Sequence, residues 1–164
     1  MKSKYNNQHV RKQERVMDIV QAECLLRSGE YGVLSLIEQR DGNVATYALP
    51  MSYVWDGNDV IYFHCAQMGY KLDCLDAYQQ CSFCVVGKTE ILSEKFSTKY
   101  ESIVLRGNIE RHLPDNEKNK ALMALIKKYS PEFEVEGAQY VARAHHKTEV
   151  LRFTIQQMTG KNRM

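Results

Sequence analysis

The sequence predicts a mainly β protein with peripheral helices, of the α+β class, and two observations predict it. Short apolar or alternating runs recur along the 164 residues, separated by turn residues, and consecutive strands joined by short turns favour an antiparallel meander. A few other stretches carry apolar residues at helical spacing. A chain of this length forms about one domain, so we expect a polar N-terminal arm over residues 1–13 and a single domain over 14–164.

The charge balance excludes some partners. The formal net charge is +2, from 22 basic and 20 acidic residues, whereas a nucleic-acid partner needs a concentrated basic face. Basic residues cluster only in and just after the arm, which we interpret as a solvated tail. No apolar run is long enough for a membrane span or a signal-peptide core, so we expect no membrane association and a cytoplasmic location. Five cysteines, an odd number, indicate free thiols in a reducing compartment.

The first predicted elements are one helix and two strands. Apolar residues at helical spacing predict a helix that ends near Gly29; they are Val16, Ile19, Val20 and Cys24. A strand over 31–37 and a longer one over 44–54 flank a turn at Asp41-Gly42. Pro50 lies inside the longer strand and removes a ladder donor, which predicts an edge, a bulge or a kink where a ligand can approach the backbone.

The stretch 60–75, VIYFHCAQMGYKLDCL, carries the clearest chemistry. A buried strand over 60–63 ends on His64 and Cys65, and Lys71 opens a helix predicted over 71–78. Unpaired N–H groups in the first turn of a helix favour anions, and a lysine there adds a full positive charge. The pattern is typical of a phosphate-binding site, although a loop with a purely structural role would show the same local pattern. His64 likewise fits a histidine packed in the core as well as one that contacts a ligand.

The second half of the chain alternates strands and helices again. We predict strands over 82–92 and 100–111, the latter interrupted by Gly107, and a last strand over 150–155. Asp115 is expected to cap a helix whose apolar stripe is Ala121, Leu122, Leu125, Ile126 and Tyr129. A shorter helix is predicted over 137–145.

Two other groups of reactive residues have ordinary explanations. Cys81 and Cys84 form a C-x-x-C, which could bind zinc or cycle as a dithiol, but no second ligand pair exists and the pair lies in a predicted strand rather than at a helix N-terminus. Their odd separation points them to opposite faces, so we interpret them as buried free thiols. His112, His145 and His146 lie in polar surroundings and fit exposed or capping histidines.

Two segments resemble one known family. Tyr62, Phe63, His64, Ala66, Gly69 and Lys71 match the Y-F-H-x-A-x-x-G-x-K pattern of flavin-binding split β-barrels related to pyridoxamine 5′-phosphate oxidase, within them the 5-nitroimidazole resistance (Nim-type) branch. The segment 96–104, FSTKYESIV, resembles the F-[ST]-T-x-Y-x-S-V segment of that branch. Cys65 departs from the pattern, since the branch commonly has serine there. The resemblance covers residues 14–161 and implies an antiparallel split β-barrel.

The resemblance also implies a cofactor, a reaction and a partner. It implies flavin mononucleotide (FMN) as cofactor and reduction of a nitroaromatic or related small molecule, with His64 as the catalytic residue. We expect no metal, because the residues offer no set of ligands. The implied cofactor contacts are Pro50, Met51, Ser52, Tyr53, His64, Cys65, Ala66, Lys71, Tyr100, Glu101, Ser102 and Lys161. The flavin is expected at the subunit boundary of a homodimer. Two alternatives stay open: a pyridoxamine 5′-phosphate oxidase-type enzyme, and a flavin- or haem-binding module with His64, His145 or His146 as an axial ligand.

Overall fold

The computed structural model describes all residues from Met1 to Met164 and has seven strands and four α-helices. Short 3₁₀ turns link some of them. The helices are α1 (Ile19–Ser28), α2 (Tyr70–Ala77), α3 (Asp115–Tyr129) and α4 (Glu134–Ala144). The strands are β1 (Tyr31–Arg40), β2 (Asn43–Ser52), β3 (Val54–Trp55), β4 (Val60–Ala66), β5 (Gln80–Leu92), β6 (Ser97–Glu110) and β7 (Thr148–Arg163).

All strands pair antiparallel in one sheet of order β2-β1-β5-β6-β7-β4-β3. The two edge strands, β2 and β3, are consecutive in the chain with only Tyr53 between them. The edges therefore meet at Tyr53 and the sheet closes on itself, which removes most of the unpaired edge. The α+β, split-barrel prediction is confirmed, and no helix is long and apolar enough to cross a membrane.

Tyr53 occupies the seam of this closed sheet. Its side chain is fully buried, and its hydroxyl donates to the Leu26 carbonyl over 2.7 Å. Its backbone N–H donates to the Tyr129 hydroxyl over 2.8 Å. The same hydroxyl lies 2.7 Å from the Tyr53 carbonyl and 2.6 Å from the Glu30 carbonyl, and can donate to either. One side chain of α3 therefore ties the closing strand to the segment before β1.

The barrel interior is filled by alternate residues of the strands, as expected for a small barrel. Phe63, Phe83 and Phe153 are fully buried and pack edge to face, with ring centroids 5.0 and 6.5 Å apart. A second, smaller cluster lies outside the sheet, where α3 and α4 cover the outer side of β4 and β7. The remaining outer surface, over β2, β1, β5, β6 and the second half of β7, carries no helix.

Four local predictions differ from the structure. The buried face of α1 is Ala22, Leu25 and Leu26. Of the predicted stripe only Ile19 packs against the core, because Val20 is 64% exposed, Cys24 is exposed and Val16 precedes the helix. Asp115 is the first residue of α3 and no side chain caps that helix. The long strand predicted over 44–54 breaks at Tyr53, where it changes partners.

The fourth difference is β7, which continues to Arg163 because its pairing with β6 resumes after an irregularity opposite Arg106 and Gly107. Gln156 is the unpaired extra residue there, and it ends the alternation visible in the sequence.

The N-terminal arm packs against the barrel instead of extending into solvent. Asn6 N–H donates to the Met158 carbonyl over 3.0 Å, and Asn7 Oδ1 accepts from Gly160 N–H over 3.0 Å. Lys4 Nζ lies 2.7 Å from Asp59 Oδ2. The polar composition of the arm reflects these specific contacts with the second half of β7 and with the turn before β4.

We expect Tyr129→Phe to lower the free energy of unfolding by about 1–3 kcal/mol, because it leaves the buried Tyr53 backbone without its partner. Tyr140→Phe is the matched control, since that side chain is 62% exposed and has no hydrogen bond; it should change stability by less than about 0.5 kcal/mol. Urea unfolding followed by circular dichroism measures both. Equal stability of the two variants would contradict the role given to Tyr129.

Candidate functional site

A cleft of about 410 Å³ opens between the barrel and the α3–α4 pair. Ser52 at the end of β2 and His64 near the end of β4 both line it, so barrel closure brings together two residues that are separate in the sequence. Helices α3 and α4 and the residues after them supply the other walls. These residues are Leu122, Leu125, Ile126, Tyr129, Ser130, Tyr140, Val141, Ala144, His145 and Thr148.

The pleat of the strands sorts the predicted cofactor residues into two sets. Successive side chains of a strand point to opposite faces, and Pro50 and Ser52 are exposed while Met51 and Tyr53 are buried in the core. The outward set is Pro50, Ser52, His64, Ala66, Tyr100, Ser102 and Lys161. Side chains of Met51 and Tyr53 are not available to a ligand, and the Tyr53 backbone is already bonded to Tyr129.

His64 is the outward residue best placed for chemistry. Its imidazole has no hydrogen-bond or ion-pair partner within the chain, and it faces the cleft. Desolvation by the surrounding protein lowers its pKa below the ordinary value of 6.5, because burial disfavours the imidazolium. The neutral imidazole therefore predominates at neutral pH, with both ring nitrogens free to contact a ligand.

Lys71 lies in the first turn of α2, as the sequence predicts, and Gly69 precedes the helix with φ of 140°. The lysine is half-buried and its Nζ forms no ion pair or hydrogen bond. Burial raises the pKa of the neighbouring Cys65 thiol, while the charges of Lys71 and Arg111 act in the opposite direction. Two cations therefore act on this side of the barrel. The guanidinium of Arg111 is already ion-paired with Asp76 through Nη1, although its Nε is buried without a partner. Lys71 therefore carries the positive charge that is free to bind an anion.

Cys65 itself packs against the core from the inner face of β4. Its raised pKa keeps the thiol protonated, so the chain holds no reactive thiolate at this position. Cys65 is therefore a packing residue beside the cation pair.

Tyr100, Glu101, Ser102 and Lys161 lie elsewhere. Tyr100 and Glu101 line a second cavity of about 460 Å³ at the far end of β6 and β7, and Lys161 Nζ lies 5.9 Å from the Tyr100 ring centre. Burial raises the pKa of Tyr100, but hydrogen bonds and charges from Lys161 and Arg15 outweigh it and the pKa is lowered. Glu101 accepts the Lys88 N–H over 3.1 Å. This end of the barrel is basic and polar.

The two groups of predicted residues are far apart in one chain. His64 pairs with Val150 on β7, and Ser102 pairs with Lys161 eleven residues further along the same strand. At ~3.3 Å per residue this separation is up to about 36 Å along the strand. One chain therefore does not bring all the predicted cofactor contacts into one site.

Sequence reasoning missed several residues of these sites. The cleft walls on α3 and α4 were predicted only as core packing or a short helix, and the stripe residues Ile126 and Tyr129 were the available signal. His145 lines the cleft although its surroundings in the sequence are polar. Nothing in the sequence indicated that Arg111 and Arg15 would lie near the predicted residues. Folding alone brings Arg111 to the side of the barrel with Lys71, and Arg15 to Tyr100.

The C-x-x-C pair lies in β5, as predicted. Cys81 packs partly against the core, and burial raises its pKa to about 12. Cys84 lies on the opposite face, paired with Val104, and burial raises its pKa as well. Neither thiol ionises readily, which fits the interpretation as free thiols. His112 forms a contact of 3.7 Å with the buried Glu149 carboxylate.

Solved structures share this fold. A proposed 5-nitroimidazole antibiotic resistance protein from Bacteroides thetaiotaomicron aligns with a TM-score of 0.73 at 23% identity, over 90% of this chain and 86% of that chain. A FAD and haem binding protein from Mycobacterium smegmatis gives 0.75 at 20%, over 92% and 73%. A flavocytochrome from Azotobacter vinelandii gives 0.68 at 16%, over 90% and 68%.

No curated protein matches the chain. At these identities the solved structures establish the fold alone. The family model described as pyridoxamine 5′-phosphate oxidase matches residues 20–162, nearly the whole barrel with α1 to α4. This chain therefore belongs to the pyridoxamine 5′-phosphate oxidase family.

Proposed function

We propose that the protein binds FMN at the boundary of a homodimer and reduces small acceptors such as nitroaromatics. The observation that carries the proposal is the separation of two groups of outward-facing residues, one around His64 and Lys71 and one around Tyr100 and Lys161. A twofold axis through the bare outer face would bring one group of each subunit against the other group of its partner. Membership of the family and the flavin-binding proteins among the similar structures support the cofactor.

The outer face has the character of an interface. Pro50, Val33, Cys84, Val104 and Thr159 form one row across β2, β1, β5, β6 and β7 by direct strand pairing. Tyr31 and Val86 lie beside this row and are 60% and 56% exposed. Solvated faces of antiparallel sheets are normally polar, and the next row of this face is, with Ser35, Ser82 and Arg106. The row with Val33 and Val104 is mostly apolar, and an exposed apolar patch marks a binding surface. A second copy of the chain is the occupant we propose, because the row crosses the sheet between the two groups.

Within this arrangement Lys71 would hold the flavin phosphate. The lysine is half-buried, lacks any partner in the chain and stands at the start of α2, where backbone N–H groups also favour an anion. Arg111 also lies on this side, but its guanidinium is ion-paired with Asp76, so Lys71 would supply the free positive charge. The flavin would supply the electron-transfer chemistry, and the protein would supply binding and orientation.

His64 would donate a hydrogen bond or a proton to the acceptor. It is free of internal partners and lines the cleft in which a small molecule fits. Of the two forms only the imidazolium is acidic enough to transfer a proton, and the lowered pKa confines that form to acidic pH.

The haem-binding alternative has one observation in its favour, because His64 and His145 line the same cleft and imidazole is an axial ligand of haem. The absorption spectrum of the purified protein separates the two cofactors, since haem gives a Soret band and a flavin does not.

Removing the positive charge of Lys71 should weaken FMN binding. For Lys71→Ala we expect a loss of about 1.5–3 kcal/mol, roughly ten- to a hundredfold in affinity. Lys120→Ala, which removes the same charge from an exposed position of α3, is the matched control and should bind normally. Fluorescence titration of the flavin-free protein with FMN measures both. Wild-type affinity in Lys71→Ala would refute the phosphate assignment.

The rate of acceptor reduction should depend on pH through His64. Because its pKa is lowered below 6.5, the protonated donor is present below that pKa and is lost as pH rises through it. His64→Gln should remove this step and slow the reaction by about 10²- to 10⁴-fold, with flavin still bound. Anaerobic stopped-flow oxidation of the reduced protein by a nitroimidazole gives the profile. His146→Gln, at an exposed position outside the cleft, should keep the wild-type profile; an unchanged profile in His64→Gln would remove His64 from the mechanism.

A further inference from the structure

We infer that the cleft between the barrel and the α3–α4 pair is the acceptor site and that it selects uncharged aromatic molecules over phosphorylated ones. The cleft shares Ser52 and His64 with the proposed flavin site, so a molecule held in it lies against the proposed proton donor. The role as an acceptor site rests on the proposed function; the selectivity rests on the composition of the cleft itself.

The lining contains no permanently charged residue. None of the residues that form the cleft is Lys, Arg, Asp or Glu. A phosphate placed there would lose its hydration without gaining a charged partner, which is costly in a partly enclosed, largely apolar space. An uncharged ring loses little on entry and gains contact with the aliphatic walls.

The walls suit a flat ring with polar substituents. Leu122, Leu125 and Val141 are buried and form the apolar floor, while Tyr140 is 62% exposed at the rim. About 410 Å³ is the size of a small-molecule site rather than a macromolecular groove. The site is therefore large enough for a single ring system with one or two substituents.

Two imidazoles supply the polar contacts. His64 has no internal partner, so both of its nitrogens can contact the ligand. His145 Nδ1 lies 3.4 Å from the Ala142 carbonyl, which favours a proton on Nδ1 and leaves Nε2 as an acceptor. The Thr148 hydroxyl already donates to the Ala144 carbonyl over 3.1 Å. These neutral side chains can thus form hydrogen bonds with a nitro, carbonyl or hydroxyl group of a ligand without any fixed charge in the cleft.

Two basic side chains lie beyond one wall of the cleft. Arg27 and Lys128 line a separate cavity that shares only Ser52 and Tyr129 with it. Lys128 Nζ is bonded to the Gly29 carbonyl over 2.7 Å and lies 3.8 Å from the Tyr53 ring centre. Its position is set by structural contacts. If the phosphate of a ligand in the cleft reached the cavity with Arg27 and Lys128, phosphorylated ligands would bind well. Comparing a neutral ligand with a phosphorylated one therefore tests the selectivity.

The test compares 4-nitrobenzyl alcohol with 4-nitrobenzyl phosphate, which share one ring and differ in charge. Each is titrated by calorimetry into the flavin-loaded wild-type protein without a reductant. We expect the alcohol to bind at least about tenfold more tightly than the phosphate. Equal or tighter binding of the phosphate would overturn the proposed selectivity.

Two tryptophan variants place the binding in the cleft. Ala144→Trp fills it, whereas Ala142→Trp puts the same side chain on an exposed position two residues earlier in α4. We expect the first variant to lose at least about tenfold in alcohol affinity and the second to match wild type. If Ala144→Trp does not fold, Ala144→Leu should show a smaller loss. Wild-type affinity in the folded Ala144 variant would refute the cleft as the site.

Flavin content, measured by absorbance in every variant, separates this inference from the proposed function. A protein that binds no flavin but discriminates between the two probes would refute the function and leave the cleft's selectivity standing. Normal flavin content in a protein that binds both probes equally would refute the cleft's selectivity and leave the proposed flavin binding standing.

Discussion

The closure of the sheet at Tyr53 is the constraint on which the other features depend. Its ring is fully buried against Phe83, 5.0 Å between centroids, and its hydroxyl is bonded to α1. Its backbone is bonded to α3 through Tyr129. Any change in the position of this residue would alter the position of β2 relative to β4, and with it the approach of Ser52 to His64. The candidate site is therefore a consequence of barrel closure.

Closure also decides which surfaces remain for ligands. The interior is filled with aromatic and aliphatic side chains, so a cofactor has to bind outside the barrel. Helices α3 and α4 cover the outer side of β4 and β7 and create the cleft. The other strands keep a mostly apolar outer row. In the proposed dimer two copies of the chain contact each other through this row. The cleft then lies at the edge of the proposed shared flavin site and provides an uncharged binding site for the acceptor.

Much of the fold could be predicted from the sequence, because strand alternation and turn residues are local signals. The boundaries of β4 and α2 and the position of Lys71 agree closely with the sequence pattern. The end of β7 could not be predicted, because the unpaired Gln156 breaks the alternation and the strand then resumes through pairing with β6. The buried face of α1 was predicted only at Ile19, because Val20 and Cys24 have the right spacing but point to solvent.

The candidate site was less predictable for a physical reason. A sequence that resembles a family motif indicates which residues could contact a ligand, but the pleat of each strand determines which of their side chains face outward. Met51 and Tyr53 were predicted as cofactor contacts from the resemblance, yet their side chains lie in the core. The partners of the motif residues are equally nonlocal. The positions of Arg111 near Cys65, of Arg15 near Tyr100 and of His145 at the cleft are products of tertiary packing.

Intersubunit complementation tests the central claim most directly. Lys71→Ala and Lys161→Ala proteins should each bind FMN weakly, since each lacks one side of every shared site. When the two are mixed and allowed to exchange subunits, each mixed dimer should contain one intact site, so roughly a quarter of all sites should regain wild-type affinity. Recovery of that fraction is the result we predict. Two weak variants that show no recovery after exchange would mean that both lysines act within one chain, and would contradict the boundary site.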